Sequence, residues 1–166
     1  KEMSDESLRV IGFAYKEVKK EISTSKELLD NENNLTYVGI CGMIDPPRKT
    51  VASSVLKCKK AGIRTIMITG DSLNTAVSIA KSVGIIETSN EGILGSELDN
   101  YSDEELKDVI TKYSVYARVT PEHKRRIVTV FQSMGKVVSM TGDGVNDAPA
   151  IKDAHVGIGM GITGTE

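Results

Sequence analysis

The sequence predicts an α/β protein: a parallel sheet flanked by helices and preceded by a small β segment. Three observations carry this. From residue 51 onward, short apolar runs alternate with stretches whose apolar residues recur at helical spacing. Strands separated by helices of roughly 10–15 residues imply right-handed crossovers and a sheet covered on both faces. Before residue 45 the chain holds two β-like stretches instead, and Thr-Gly-Asp stands twice, each time where an apolar run finishes.

The elements follow in order. "LRVIGFAY" (8–15) and "LTYVGICGMI" (35–44) are rich in β-branched and aromatic residues, and the polar stretch 19–34 separates them. Two strands are too few for an independent sheet, so this segment is expected to belong to something larger. In "DPPRK" (45–49), Pro46 and Pro47 fix φ and resist both helix and ladder, which leaves a stiff interdomain connection and an ordinary turn both open. Val51, Val55 and Cys58 then predict a helix that Gly62 can end, followed by a buried strand "TIMIT" (65–69). Ala76, Ile79, Ala80 and Val83 predict a second helix, stopped by Gly84. "SDEEL" (102–106) reads as an N-cap and an acidic first turn, continued by Leu106, Val109, Ile110 and Tyr113. After the strand "VYARV" (115–119), Pro121 opens a helix with the stripe Ile127, Val130, Phe131 and Met134, ended by Gly135. The strand "VVSMT" (137–141), a short helix from Pro149 and a last strand "VGIGM" (156–160) complete the series.

Composition narrows the function. At 166 residues, 39% hydrophobic and 27% charged, the chain is long enough for one real core. A formal charge of −2 with scattered Lys and Arg gives no nucleic-acid footprint and no membrane-binding tract. Cys41 and Cys58 lie in apolar segments without C-x-x-C spacing and are expected to be buried free thiols, which fits a reducing cytosol. No apolar run approaches the roughly 20 residues that span a bilayer, and "KEMSDESLRV" has no signal-peptide core, so a soluble chain is expected.

The chemistry concentrates in "MITGDSLNTA" and "SMTGDGVNDAPA" (139–150). In a parallel sheet, ligands bind beyond the carboxyl ends of the strands, and both Thr-Gly-Asp stretches sit at such an end. Thr69 and Thr141 offer hydroxyls, Gly70 and Gly142 allow close backbone approach, and the following helices present N–H groups suited to phosphate oxygens. Asp143 and Asp147, four residues apart across a glycine turn, repel unless a cation or proton intervenes, and such a hard-oxygen site suits Mg²⁺. Asn146 adds an amide for a phosphate oxygen, and Lys124 could reach the same edge as a point charge. His123 is expected at the surface, and His155 lacks a partner that would make it a metal ligand.

"DPPR", "MITGD", "ARVTPEHK", "TGDGVNDAPA" and "GIGMG" together resemble the P-type cation-transporting ATPases, whose phosphorylation domain belongs to the haloacid dehalogenase superfamily. The resemblance covers nearly the whole chain. It implies that residues 1–44 are the C-terminal part of a nucleotide-binding domain. Residues 45–166 would then be the C-terminal part of a Rossmann-like phosphorylation domain. By resemblance, Arg9 would contact nucleotide phosphates, and Asp45 with Pro46 and Pro47 would form the hinge. Thr69, Gly70 and Asp71 would line the phosphate and nucleotide edge, with Arg118 near the ribose. Lys124 would stabilise the transferred phosphoryl group, Asp143 would ligate Mg²⁺, and Asn146 and Asp147 would hold phosphate and support the metal site. The implied cofactors are Mg²⁺ and ATP.

The family's nucleophile, an aspartate in D-K-T-G-T, does not occur here and is expected upstream, as are T-G-E-S and membrane helices elsewhere in the pump. In the family its strand runs between those leading into the two Thr-Gly-Asp loops. The sheet is therefore expected to be incomplete, with the flanking strands pairing directly, residues 35–44 or another chain filling the slot, or stability becoming marginal. The implied role is a cytosolic part of an integral membrane cation pump, itself inactive, whose partners are ATP, the nucleophile segment, the actuator domain and the membrane helices that bind the transported cation. The motif set resembles calcium or sodium/potassium and proton/potassium pumps more than heavy-metal pumps, and "ARVTPEHK" favours calcium. Two alternatives stay open. One is a non-catalytic nucleotide or Mg²⁺-binding module. The other is a stand-alone haloacid dehalogenase-type phosphatase, which needs a strand-end aspartate, typically in D-x-D; no such motif opens the chain, and Asp30 in "LLDNE" has a polar loop context.

Overall fold

The computed structural model describes residues 8–18, 21, 23–43 and 46–161. The chain divides into two compact units, Lys1–Pro46 and Pro47–Glu166. Asp45, expected in the hinge, lies outside the described residues. Among the described residues no helix is long and apolar enough to cross a membrane.

The first unit is a two-stranded antiparallel sheet and a helix. Strand β1 (Arg9–Tyr15) pairs with β2 (Thr36–Met43), with a bulge between Phe13 and Ala14. Helix α1 (Ser25–Asn31) occupies the polar stretch for which the apolar pattern predicts nothing. Its signal is a capping box rather than a stripe: Thr24 Oγ1 accepts from the Glu27 N–H at 3.2 Å, and Glu27 Oε2 accepts from the Thr24 N–H. Cys41 is exposed and Cys58 half-buried, so neither is the buried thiol expected, though both are free. In this unit Cys41 and the apolar side chains of Phe13, Tyr37 and Val38 are exposed.

The second unit holds the α/β architecture. Helix α2 (Val51–Lys60) precedes β3 (Met67–Ile68), and α3 (Leu73–Ser82) follows it. Strand β4 (Gly92–Leu94), too short to show a period, leads into the single-turn helix α4 (Gly95–Leu98). Then come α5 (Asp103–Ile110), β5 (Val115–Ala117), α6 (Pro121–Ser133), β6 (Ser139–Gly142), α7 (Ala148–Asp153) and β7 (Val156–Gly159). Glycines follow three of the helices with φ of +72° at Gly62, +80° at Gly84 and +74° at Gly135, a backbone that side-chain-bearing residues rarely adopt.

Strands β3, β5 and β4 form one parallel sheet in that order, with β5 in the middle. Helices cover both faces, and β5 shows it by alternation. Tyr116 packs with Leu106, Ile110, Ile127, Val130 and Phe131 from α5 and α6, while Val115 and Ala117 pack with Ala76 and Ala80 from α3. The expected strand 115–119 stops at Ala117 because Arg118 takes φ +52° and turns the chain away.

Strands β6 and β7 form a separate parallel pair. Two of the expected outcomes for the incomplete sheet are therefore not adopted: β3 does not pair with β6, and residues 36–43 pair with β1. The break is bridged by side chains instead, since Ile68 of β3 packs with Val128 of α6 and Met140 of β6. Met67 and Thr69 donate their N–H groups to Ser114 and Tyr116, so Ile68 holds the alternating position that points away from β5. Val138 and Gly142 accept from Val156 and Met160, so Thr141 points away from β7 in the same way. Native-state hydrogen exchange is expected to be fast at the Ile68 and Thr141 amides and at least about tenfold slower at Met67 and Thr69. Equal protection at all four would show that the slot is closed.

The first turn of α5 carries a pH signature. Glu105 Oε2 accepts from the Ser102 hydroxyl at 2.7 Å and from the Ser102 N–H at 2.8 Å. The hydroxyl bond first, and then the backbone bond, hold its carboxyl below the ordinary 4.5. A folded value below the unfolded one means the unfolded chain binds the proton more tightly. The stabilisation is thus complete above the unfolded value and is lost as pH falls through the lower folded one. Glu105→Gln should therefore lower stability at neutral pH and narrow its gap to the native chain by about pH 3, measured by urea unfolding. A gap that stays constant with pH would refute the assignment.

Candidate functional site

Two clusters form at the carboxyl ends of β3 and β6. In the first, Thr69 leaves β3 with its N–H on the Tyr116 carbonyl at 2.9 Å and its own carbonyl accepting from Val119. Thr69 Oγ1 accepts from the Asp71 N–H and donates to Asp71 Oδ2, both at 3.1 Å, which closes the turn through Gly70. Arg118 locks this loop to the end of β5: its N–H donates to the Asp71 carbonyl at 3.0 Å and its Nη1 to the Gly70 carbonyl at 3.4 Å. A non-glycine residue at φ +52° is uncommon and tends to mark a functional turn. Ser72 then caps α3, its Oγ accepting from the Thr75 N–H.

The second cluster is tighter. After Gly142 and Asp143, a single 3₁₀ turn (Val145–Asp147) folds Asp147 back onto the strand end. A Cβ on Gly142 would lie 2.4 Å from Asp147 Cβ and 2.6 Å from its Cγ, so only glycine leaves room for that carboxylate. Asp147 is buried, whereas Asp143 and Asn146 are exposed. From the first turn of α6, Lys124 Nζ donates to Asp147 Oδ1 at 2.5 Å, with 15% and 10% of the two side chains exposed. The cation that relieves Asp147 is therefore the chain's own lysine. Of the two carboxylates expected at the metal, Asp147 is thus paired with a lysine and buried, while Asp143 is exposed.

The structure thus brings Lys124, Gly142 and Asp147 into one contact, and Thr69, Gly70, Asp71 and Arg118 into another. Arg9 lies in β1 opposite Met43, in the first unit, and its side chain is outside the described residues. His123, expected at the surface, is buried: its Nδ1 accepts from the Thr120 N–H at 3.1 Å and its Nε2 meets Asp99 Oδ1 at 2.9 Å. His155 Nδ1 accepts from the Val138 N–H at 3.2 Å, a structural bond at the start of the last sheet. Asp99 and Gly95 carry no signal in the sequence, because neither stands in an apolar pattern or beside a Thr-Gly-Asp loop.

Among the described residues no three His, Cys, Asp or Glu side chains gather to hold a metal ion. That donor set still fits Mg²⁺, which takes one or two carboxylates and completes its octahedron with water and phosphate oxygens. A site built for Zn²⁺ would need three or four protein ligands.

Comparisons with known proteins give the family. A family described as haloacid dehalogenase-like hydrolase matches residues 6–155. The chain is 54% identical to calcium-transporting ATPase 1 of Bacillus cereus over 99% of its length. It is 46% identical to the calcium-transporting ATPase of Bacillus subtilis and to calcium-transporting ATPase 1 of Saccharomyces cerevisiae, again over 99%. The chain spans 17–18% of the length of these relatives. With both Thr-Gly-Asp loops inside the matched span, the chain belongs to the haloacid dehalogenase-like hydrolases.

Proposed function

We propose that this chain is the metal- and phosphate-holding part of the phosphorylation site of an ATP-driven P-type calcium pump, on its cytosolic side. The single observation that carries the reading is the Lys124–Asp147 pair seated on Gly142, next to the exposed Asp143, at a strand end where the sheet is broken. Likeness to calcium-transporting ATPases over the whole chain supports it, as does the small share of those proteins that the chain spans.

Each residue then has a role. Asp143 would hold Mg²⁺, which when bound supplies charge neutralisation for a phosphoryl group in flight. Lys124 presents a cation held in register by Asp147; an ammonium carries three N–H donors, so the bond to Asp147 leaves capacity for phosphate oxygens. Asp147 fixes that lysine and, from beside Asp143, supports the metal site. Thr69, Gly70 and Asp71 form the opposing wall, Asn146 offers an amide to phosphate, and Arg118 and Arg9 are the nucleotide-side contacts. The attacking carboxylate, the actuator domain, the membrane helices and the calcium site belong to other parts of the pump. ATP is the phosphoryl donor.

The test uses the chain as it is. Inorganic phosphate with MgCl₂ is expected to shift the amide resonances of Thr69–Asp71, Lys124 and Asp143–Asp147 together. Incubation with Mg²⁺ and radiolabelled ATP is expected to leave no acid-stable, hydroxylamine-sensitive label, because no D-K-T-G-T aspartate is present. Acyl phosphate on these 166 residues, or phosphate shifts scattered away from both loops, would overturn the reading.

A further inference from the structure

We propose that His123 is a positioning residue for Lys124, acting as a neutral imidazole whose Nδ1 closes the first turn of α6. A capping box normally places Glu or Gln at the third helical position, where its side chain accepts from the N-cap N–H. Here the N-cap is Thr120, whose Oγ1 accepts from the His123 N–H at 3.3 Å, and the reciprocal acceptor is the imidazole. Since Nδ1 receives the Thr120 N–H, it carries no proton. Nε2 therefore holds the proton and donates it to Asp99 Oδ1.

The ring does what a carboxylate in this position could not. It extends beyond the turn to Asp99, just past α4, and it fills the space over Gly95, where a Cβ would lie 2.7 Å from Nδ1 and 2.8 Å from the Arg118 carbonyl. One buried side chain thus ties α4, the link after β5 and the first turn of α6. Lys124 is the next residue. Its backbone N–H donates to the Thr120 carbonyl in that same turn, and its Nζ reaches Asp147. The direction of Lys124 is set by a turn that His123 closes on one side and Asp147 receives on the other.

The catalytic consequence rests on the function proposed above, but the link between the two residues does not, so the experiment reads them apart. In the native chain, ¹⁵N spectra should show His123 in the Nε2–H form, and the Lys124 ammonium should exchange slowly. His123→Ala should abolish the slow Lys124 signal and weaken binding of inorganic phosphate with MgCl₂ by roughly tenfold. His123→Gln restores an acceptor at the third position and should recover the Lys124 signal. A protonated Nδ1 in the native chain would overturn the proposal, and this measurement needs no variant to fold. So would a slow Lys124 signal unchanged in His123→Ala, or one still lost in a folded His123→Gln. Absence of phosphate binding in the native chain would count against the proposed function alone, leaving the Lys124 signal to decide the positioning role.

Discussion

Asp147→Ala is expected to destabilise the second unit by about 3 kcal/mol in urea unfolding, more than any other single polar truncation in it. The reason is what the substitution leaves behind. Lys124 Nζ sits 2.5 Å from Asp147 Oδ1 with only 15% of its side chain exposed, so removing the carboxylate strands a largely desolvated ammonium. A surface pair such as Lys59–Glu87, with side chains 68% and 85% exposed, should give less than about 1 kcal/mol by the same measurement. Lys124→Met combined with Asp147→Ala should recover part of the loss, because the stranded charge is gone. The coupling energy from the full double-mutant cycle should then exceed about 1 kcal/mol. Additive single effects would mean that the pair does not act as one unit.

Gly142→Ala should cost about 3 kcal/mol and should release Lys124 from Asp147, whereas Gly70→Ala should change stability by less than about 0.5 kcal/mol. The two glycines hold the same place in the repeated Thr-Gly-Asp motif. Their surroundings differ: a Cβ on Gly142 meets Asp147 atoms at 2.4–2.6 Å, while a Cβ on Gly70 meets nothing within 4 Å. Contacts below 3.0 Å against the near end of a side chain cannot be relieved by a small rotation, so Asp147 must leave its position. Under the proposed function both variants weaken phosphate binding, yet only Gly142→Ala also lowers the unfolding midpoint. An equal stability loss in both would contradict the asymmetry between the loops.

That asymmetry shows where the sequence stopped being informative. The repeated motif predicted two similar phosphate-facing turns. The structure makes one a hydroxyl-closed turn, held by Thr69 and Arg118, and the other a folded-back carboxylate seated on glycine. His123 shows the same limit. A histidine two residues after a helix-opening proline carries no periodic signal; in the fold Gly95 of α4 and Asp99, just past α4, close against its ring.

The sequence by itself determined the order of the longer helices and strands, the parallel α/β architecture of residues beyond 47, and the family. These rest on local information: helical and extended spacing, helix-ending glycines and motifs contiguous in the chain. The tertiary structure alone decided that β3 and β6 stay apart, that Ile68, Val128 and Met140 bridge the break, and that Lys124 finds Asp147 across 23 residues. Those outcomes depend on which surfaces meet when helices close over the sheet. The energy of a buried charge or an excluded methyl group is fixed by that meeting, which no local pattern encodes.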